Sequence, residues 1–463
     1  MQTRHHSTSP FVPSLPFILL AALLGSLWLA GGASRPDALG QAIVRATAGI
    51  ALATMLLLGD RPPLYRARPL VWLMGATIVL TVLQLVPLPP ELWRMLPGRA
   101  LFLEAAVSSG QAQPWRPWTI VPDATLNAAW SLIVPVAVLL LVTCLSDRDR
   151  NWLPGLVLSL IAASMLLGLL QFSGARINNP LINDTVGEVG GIFANRNHFA
   201  LFIAMGCLLA PVWTFSGGRT PGWRPPVGLS LLLLFVLTIL ATGSRAGLIL
   251  GILALSIGLL LVHSDVKKAL RRYPRWALPV LVAGIMVMII TAVLVSIAAD
   301  RAVSISRVFA VDSSQDMRSR ALPTVLDIIR TYFPVGTGLG SFDPIFRIHE
   351  PLKLLKFTYF NHAHNDYLEV LLDTGLPGML LLTAALSWWV WASVRSWRSS
   401  GGARDVLPRL GSAMLLLVIV ASIFDYPART PMIMAMMVLA ASWLNGGVAN
   451  RGVPALPKKS LAL

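Results

Sequence analysis

The sequence predicts an all-α, polytopic membrane protein of about twelve transmembrane helices with a large non-cytoplasmic loop that itself carries surface helices. Three observations predict it. The 463 residues have a mean hydropathy of +0.70, with 55% hydrophobic and only 13% charged residues, far more apolar surface than one soluble core could bury. Uninterrupted apolar runs long enough to cross a bilayer recur along the whole chain. Basic residues fall in alternate connecting segments, as expected for cytoplasmic loops.

The candidate spans run roughly over 15–32, 40–59, 69–88, 124–145, 152–172, 194–214, 227–242, 245–263, 277–298, 376–394, 410–424 and 431–445, the eleventh being the weakest because it is short. The first has features of a signal peptide, since Arg4 precedes it and small residues Gly31–Ser34 end it. Because further spans follow at once, it is expected to be a membrane anchor.

Threading these spans from a cytoplasmic N-terminus places clusters such as Arg61, Arg66 and Arg68, then Lys267, Lys268, Arg271, Arg272 and Arg275, then Arg395, Arg398, Arg404 and Arg409, on the inside. Almost all of the net charge of +16 then lies on that face, so the charge is an orientation signal and not a nucleic-acid footprint. Both termini are expected in the cytoplasm. The two cysteines, Cys144 and Cys207, lie inside apolar runs without ligand spacing and read as packing residues.

Three units are expected: an N-terminal transmembrane bundle over 1–298, a large non-cytoplasmic loop over 299–366, and C-terminal transmembrane helices over 367–463. In the loop, Leu322, Val325, Leu326, Ile329 and Phe333 recur at helical spacing, Pro334 stops the helix, and Asp366 with Glu369 is expected to cap the next one. Gly375, Pro377 and Gly378 are expected to break that next helix before the tenth span.

Polar groups that are expensive near a membrane mark candidate chemistry. Asn195-Arg196-Asn197-His198 sits at the outer mouth of the sixth span. Thr242-Gly243-Ser244-Arg245-Ala246-Gly247 forms a tight outer break, where Arg245 at a helix start can grip phosphate in bidentate fashion. Arg318 and Arg320 open the loop helix, and Asn361-His362-Ala363-His364-Asn365-Asp366 closes the loop at the membrane. For each group a bland reading stands beside the functional one: a snorkelling Arg196, an Arg245 bonded to turn carbonyls, histidines bonded to loop backbone. The His-x-His pair lacks a third ligand at a familiar spacing, so no metal and no cofactor is expected. An imidazole beside several arginines is better suited to act as a general base. Asp147-Arg148-Asp149 imitates a glycosyltransferase metal motif but lies on the cytoplasmic face and reads as a solvated connector. The glycine run 336–340 follows a helix and not a strand, unlike a dinucleotide fingerprint. Arg45, inside the second span, is unusual and lines a cavity or pairs with a headgroup.

Three arginines and a candidate base on one side of the membrane suit a donor that carries phosphate on a lipid. Together the stretches Gly191–Ala200, Thr242–Gly247, an arginine-led helix running to Pro334–Phe342, and His362–Leu368 with Gly375–Gly378 resemble the O-antigen ligase family, which includes O-antigen ligases and polymerases of bacterial surface polysaccharides. The resemblance extends over roughly 190–395, with these motifs in the family's order. It implies metal-independent transfer of a glycan from undecaprenyl diphosphate to a glycan, a lipid A core or another hydroxyl acceptor at the periplasmic face. By the same implication, Arg245 and a loop arginine, Arg318 or Arg320, hold the diphosphate, Arg196 assists, and His364 activates the acceptor. His362, Asn365 and Asn195 complete the expected diphosphate and glycan contacts. Polymerase, ligase and protein-glycosylating variants all remain open. The rival expectations are a polysaccharide exporter or flippase and a non-catalytic membrane subunit of an assembly complex.

Overall fold

A computed structural model describes residues 12–111, 113–175, 177–182, 187–215, 222–271, 274, 276, 279–280, 283, 317–355, 360–399 and 406–449. Within these residues the chain is helical, and the one sheet is a two-residue antiparallel pair, β1 (Pro87–Leu88) with β2 (Arg116–Pro117). The helices are α1 (Leu15–Ala30), α2 (Leu39–Leu58), α3 (Arg68–Gln84), α4 (Pro90–Met95), α5 (Ala100–Ser108), α6 (Pro122–Ser131), α7 (Ile133–Cys144), α8 (Asp147–Phe172), α9 (Arg196–Phe215), α10 (Arg224–Thr242) and α11 (Arg245–Leu270). After an interval come α12 (Met317–Tyr332), α13 (Phe342–His349), α14 (Asp366–Trp397), α15 (Val406–Phe424) and α16 (Pro431–Ala449).

Nine helical stretches among the described residues are long and apolar enough to cross a membrane, and α1 and most of α16 are shorter apolar helices beside them. The chain is thus a multi-pass, all-α membrane protein. Eleven of the twelve expected spans coincide with these helices, and the ninth, 277–298, lies largely outside the described residues. The eleventh, expected to be short, is a 19-residue helix. The fourth is two helices, α6 and α7, joined end to end at Leu132.

The bundle is organised around α9, which is buried on every side from His198 through Val212. A helix apolar all round has no solvent or lipid face to present, so it becomes the axis on which amphipathic neighbours pack. Here α8, α10, α11 and α15 surround it. On the other side α1, α2, α7 and α16 form a contiguous layer, and Leu20, Leu23, Leu24 and Leu27 of α1 are fully buried within the common core. Such packing suits an anchor helix. Asp149 departs from its expected place in a solvated connector. It is 2% exposed and accepts hydrogen bonds from Ser146 Oγ (2.6 Å) and Ser14 Oγ (2.7 Å), so it ties the start of α1 to the start of α8.

The described part of the large loop, 317–355 with 360–366, packs as a module with its own core. Ala321, Val325, Ile328, Ile329 and Tyr332 of α12 face Phe342, Ile345 and Phe346 of α13 and Phe360. Val325 and Ile329 of the expected apolar stripe face this core, whereas Leu322, Leu326 and Phe333 of the same stripe lie 36–43% exposed. The segment between α3 and α6 belongs to the same module. Ile120 N donates to Thr337 O (2.8 Å), and Thr125 Oγ1 donates to Leu339 O (3.0 Å). Arg99, 1% exposed, donates to Trp118 O (2.8 Å) and lies over the rings of Trp93 and Tyr332. Burial lowers its pKa to about 10, which still leaves a cation for the ring faces to hold.

The glycine run seats this module on α14. Thr337 N donates to Leu372 O (3.0 Å) and Gly338 N to Asp373 O (2.8 Å), while Gln84 at the end of α3 donates to Asp373 O and accepts from Leu339 N, both at 3.0 Å. Gly338 has φ 109° and a Cβ there would overlap Thr119 Oγ1, so only glycine allows this approach. Gly375, at φ 56° and ψ −143°, interrupts α14 where the sequence predicts a break. Gly338→Ala is expected to destabilise the protein by about 1–3 kcal/mol, read as a lower thermal midpoint in detergent. An unchanged midpoint would contradict this seating.

Candidate active site

Five chain segments meet at one end of the bundle, each held by a local device. At the start of α9, Asn195 Oδ1 accepts from Asn197 N (2.8 Å), and the preceding turn uses Gly191 at φ 57°. Between α10 and α11, Gly243 takes a left-handed conformation, and Ser244 Oγ caps α11 by accepting from Gly247 N (2.8 Å). Gly247 lets α11 lie against Ala200 of α9, where a Cβ would overlap. The third segment is the first turn of α12, and the fourth is the loop ahead of α14. The fifth, Asp425 to Thr430 between α15 and α16, contains the 3-10 turn Pro427–Arg429.

In the fourth segment the expected capping pair is replaced. Asn365 is the cap: its Oδ1 accepts from Tyr367 N (3.0 Å) and Leu368 N (3.1 Å), and its amide donates to Ile423 O (3.1 Å). Asp366 instead accepts from Ser422 Oγ (2.9 Å), and Glu369 turns back to accept from Ala363 N (2.9 Å). An amide can accept from the helix start while donating to α15, which a carboxylate cannot do. His364, immediately before this cap, has φ 50°, a left-handed conformation that a non-glycine residue holds only when its surroundings fix it.

What fixes it is Asp425, which sequence reasoning missed. Its carboxylate is 3% exposed and accepts from His364 Nδ1 (3.1 Å), Asn195 Nδ2 (3.0 Å), Asn197 Nδ2 (2.6 Å) and Tyr426 N (3.1 Å). Arg318 Nη2 stands 3.7 Å from it while Nη1 donates to Phe424 O (2.9 Å), and His198 Nε2 lies 3.9 Å away. Burial would raise this carboxyl, but the hydrogen bond from His364 and the nearby Arg318 charge outweigh it and hold the group far below the usual carboxylate range. The network continues outward. Ser244 Oγ donates to Asn197 Oδ1 (2.7 Å), so the cap beside Arg245 is linked to His364 through Asn197 and Asp425.

A second network lies beside the first. His362 Nδ1 meets Glu369 Oε1 at 2.8 Å, and Arg429 lies 3.2 Å from Glu369, 3.3 Å from Asp373 and 3.6 Å from Asp366. Burial alone would lower Arg429, and these carboxylates reverse the shift and push it above its ordinary value. Tyr426 separates the two networks, its ring centre 4.0 Å from that of His362, 5.0 Å from His364 and 5.1 Å from His198. Burial, with Asp425 beside it, raises its phenol well above the ordinary value, so the ring stays neutral.

Of the sequence-predicted residues, His364, Arg318 and Asn195 converge on Asp425, and Asn365 fixes the same loop. Arg245, exposed at the first position of α11, adjoins Ser244 and has no partner among the described residues. His362 turns away to Glu369, so the two histidines serve separate carboxylates. Arg320 donates to Lys353 O (2.8 Å) and does not reach Asp425, which separates it from Arg318. Arg196 lies 3.5 Å from Glu188 and is not part of the Asp425 network. Asp425 and Arg429 left one trace in the sequence: a carboxylate and a guanidinium four residues apart at a helix boundary between two apolar runs.

Residues 230–383 match the family model described as O-antigen ligase. That stretch holds Arg245, Arg318, Arg320, His362, His364 and Glu369, and it ends before Asp425. A search of curated proteins found no match.

Because the ionised Asp425 carboxylate is favoured in the folded protein, its contribution to stability is complete above the unfolded value of about 4 and is lost as pH falls through the lower folded value. Asp425→Asn is therefore expected to have a lower thermal midpoint than the wild type from pH 5 to 8, the gap narrowing only below about pH 4. A gap that disappeared near pH 6 would contradict the assignment.

Proposed function

We propose that this protein, whose residues 230–383 belong to the O-antigen ligase family, moves a saccharide chain from undecaprenyl diphosphate to a hydroxyl acceptor at the periplasmic face of the bacterial inner membrane. The observation that carries this reading is the His364 imidazole fastened through Nδ1 to the buried Asp425 carboxylate, on which Arg318 also converges. An ionised carboxylate only accepts, so the neutral ring bonded to it carries its proton on Nδ1 and presents a bare Nε2. That nitrogen is free to take a proton.

In the proposed reaction the acceptor hydroxyl loses its proton to His364 Nε2 as its oxygen bonds to the anomeric carbon of the donor sugar. The bond from that carbon to the diphosphate oxygen breaks, its electron pair leaves with undecaprenyl diphosphate, and attack opposite the leaving group inverts the anomeric centre. Arg245 and Arg318 are the groups proposed to hold the diphosphate and stabilise the charge that develops on it. The free N–H groups at the start of α11 add a favourable dipole beside Arg245. Asp425 positions His364 and spreads the charge it acquires, and Asn195 and Asn197 hold Asp425 in register. In this scheme Arg196 and Arg320 assist only at the margins of the site.

Variants His364→Ala and Arg245→Ala are each expected to abolish surface glycan while leaving the protein in the membrane. Reconstituted protein given an undecaprenyl-diphosphate glycan and an acceptor should form product without net translocation, and His364→Ala should lower that rate by about 100-fold or more. Normal polymer from both variants, or translocation without a new glycosidic bond, would point to an exporter or a structural subunit instead.

A further inference from the structure

A cavity of about 550 Å³ lies beside the site, bounded by α2, α3, α6, α7, α14, α15 and α16. Its wall on α14 runs from Asp366 to Trp389, roughly 35 Å at 1.5 Å per helical residue with the Gly375 break between. A volume of this size drawn out over that length is a narrow slot, and its lining is mainly leucine, methionine, alanine and tryptophan. His364, Arg318 and Arg245 do not line it, whereas His362 and Arg429 do. The slot therefore lies on the far side of Tyr426 from the His364 network.

Among the described residues, one cation in the lining has no acidic partner. Arg45, on α2, donates from Nη2 to the neutral Gln41 Oε1 at 3.3 Å, and its buried Nε has no hydrogen-bond partner. Gln41 cannot turn to help further, because its amide is fixed on Ala33 O at 2.7 Å. Arg45 lies about 9 Å along the axis from the start of α2, within reach of the headgroup region. By contrast Arg429, the other cation of the lining, is already surrounded by Asp366, Glu369 and Asp373. An unpaired guanidinium at the side of an apolar slot is costly unless an anion meets it. Arg45 thus offers a single positive charge, which suits one phosphodiester.

We propose that this slot binds an anionic phospholipid, one hydrocarbon chain lying between α3 and α14 and its singly charged phosphodiester held by Arg45. The second chain would lie outside, along the exposed apolar face formed by Val79, Val82 and Leu83 of α3. The site is distinct from the proposed diphosphate site and does not depend on the transfer reaction.

Native mass spectrometry of the full-length, detergent-solubilised protein tests this, with phosphatidylglycerol and phosphatidylcholine as probes. Wild type should retain one phosphatidylglycerol that resists delipidation and at least 10-fold less phosphatidylcholine. Arg45→Gln should lose that preference and Arg45→Lys should keep most of it. Ala385→Trp, which adds bulk to the slot from α14, should lose the bound lipid. Undiminished phosphatidylglycerol in both Arg45→Gln and Ala385→Trp, equal retention of the two lipids by wild type, or capture of undecaprenyl phosphate in place of phosphatidylglycerol would overturn the proposal. Because the readout is binding and not glycan transfer, loss of this site and failure of the transfer reading are separately visible.

Discussion

A carboxylate taken out of water must be paid for with hydrogen bonds and opposite charge, and Asp425 draws those from nearly every part of the site. Its donors come from the start of α9, from the loop before α14 and from the next residue, Tyr426, while Arg318 of α12 adds an opposite charge 3.7 Å away. None of these segments is adjacent in sequence, so the one buried charge fixes their mutual positions. It also selects the His364 tautomer, because a ring bonded to an ionised carboxylate through Nδ1 must carry its proton there. Geometry and proton placement thus share one cause.

The module of α12 and α13 is tied to the same network. It has its own apolar core, it is threaded onto α14 by glycines that bring backbone against backbone, and it contacts the Asp425 network through Arg318. Arg429 performs a parallel task one layer deeper, holding Asp366, Glu369 and Asp373 of α14 together beneath His362. Tyr426 stands between the two layers. Two histidines two residues apart in the chain consequently face different environments, one a polar network on Arg318 and Asp425, the other an apolar slot.

Much of this architecture could be read from residues alone. Spans announce themselves by apolar length, and eleven of the twelve coincide with observed helices because lipid leaves the backbone no alternative to helix. The candidate arginines and His364 were legible because charge near a membrane is expensive and therefore purposeful. What sequence could not give was orientation on a helix or partnership across the fold. Arg318 and Arg320 look equivalent in a string, yet one meets Asp425 and the other Lys353 O. Glu369 sits at the spacing of a cap but is drawn off to His362 and Arg429, leaving the role to Asn365. Asp425 and Arg429 stayed hidden because their partners lie up to two hundred and thirty residues away in sequence. Asp149 was misjudged for the same reason, its partner Ser14 being at the other end of the first unit.

The central claim is that the buried Asp425 carboxylate sets the proton on His364 Nδ1 and leaves Nε2 bare, and nitrogen-15 NMR of histidine-labelled protein in membranes reads this directly. In the neutral ring of wild type, the His364 signals should show a protonated Nδ1 and an unprotonated Nε2, and this pattern should disappear in Asp425→Asn. A wild-type His364 protonated on Nε2, or a pattern indifferent to Asp425→Asn, would contradict the account.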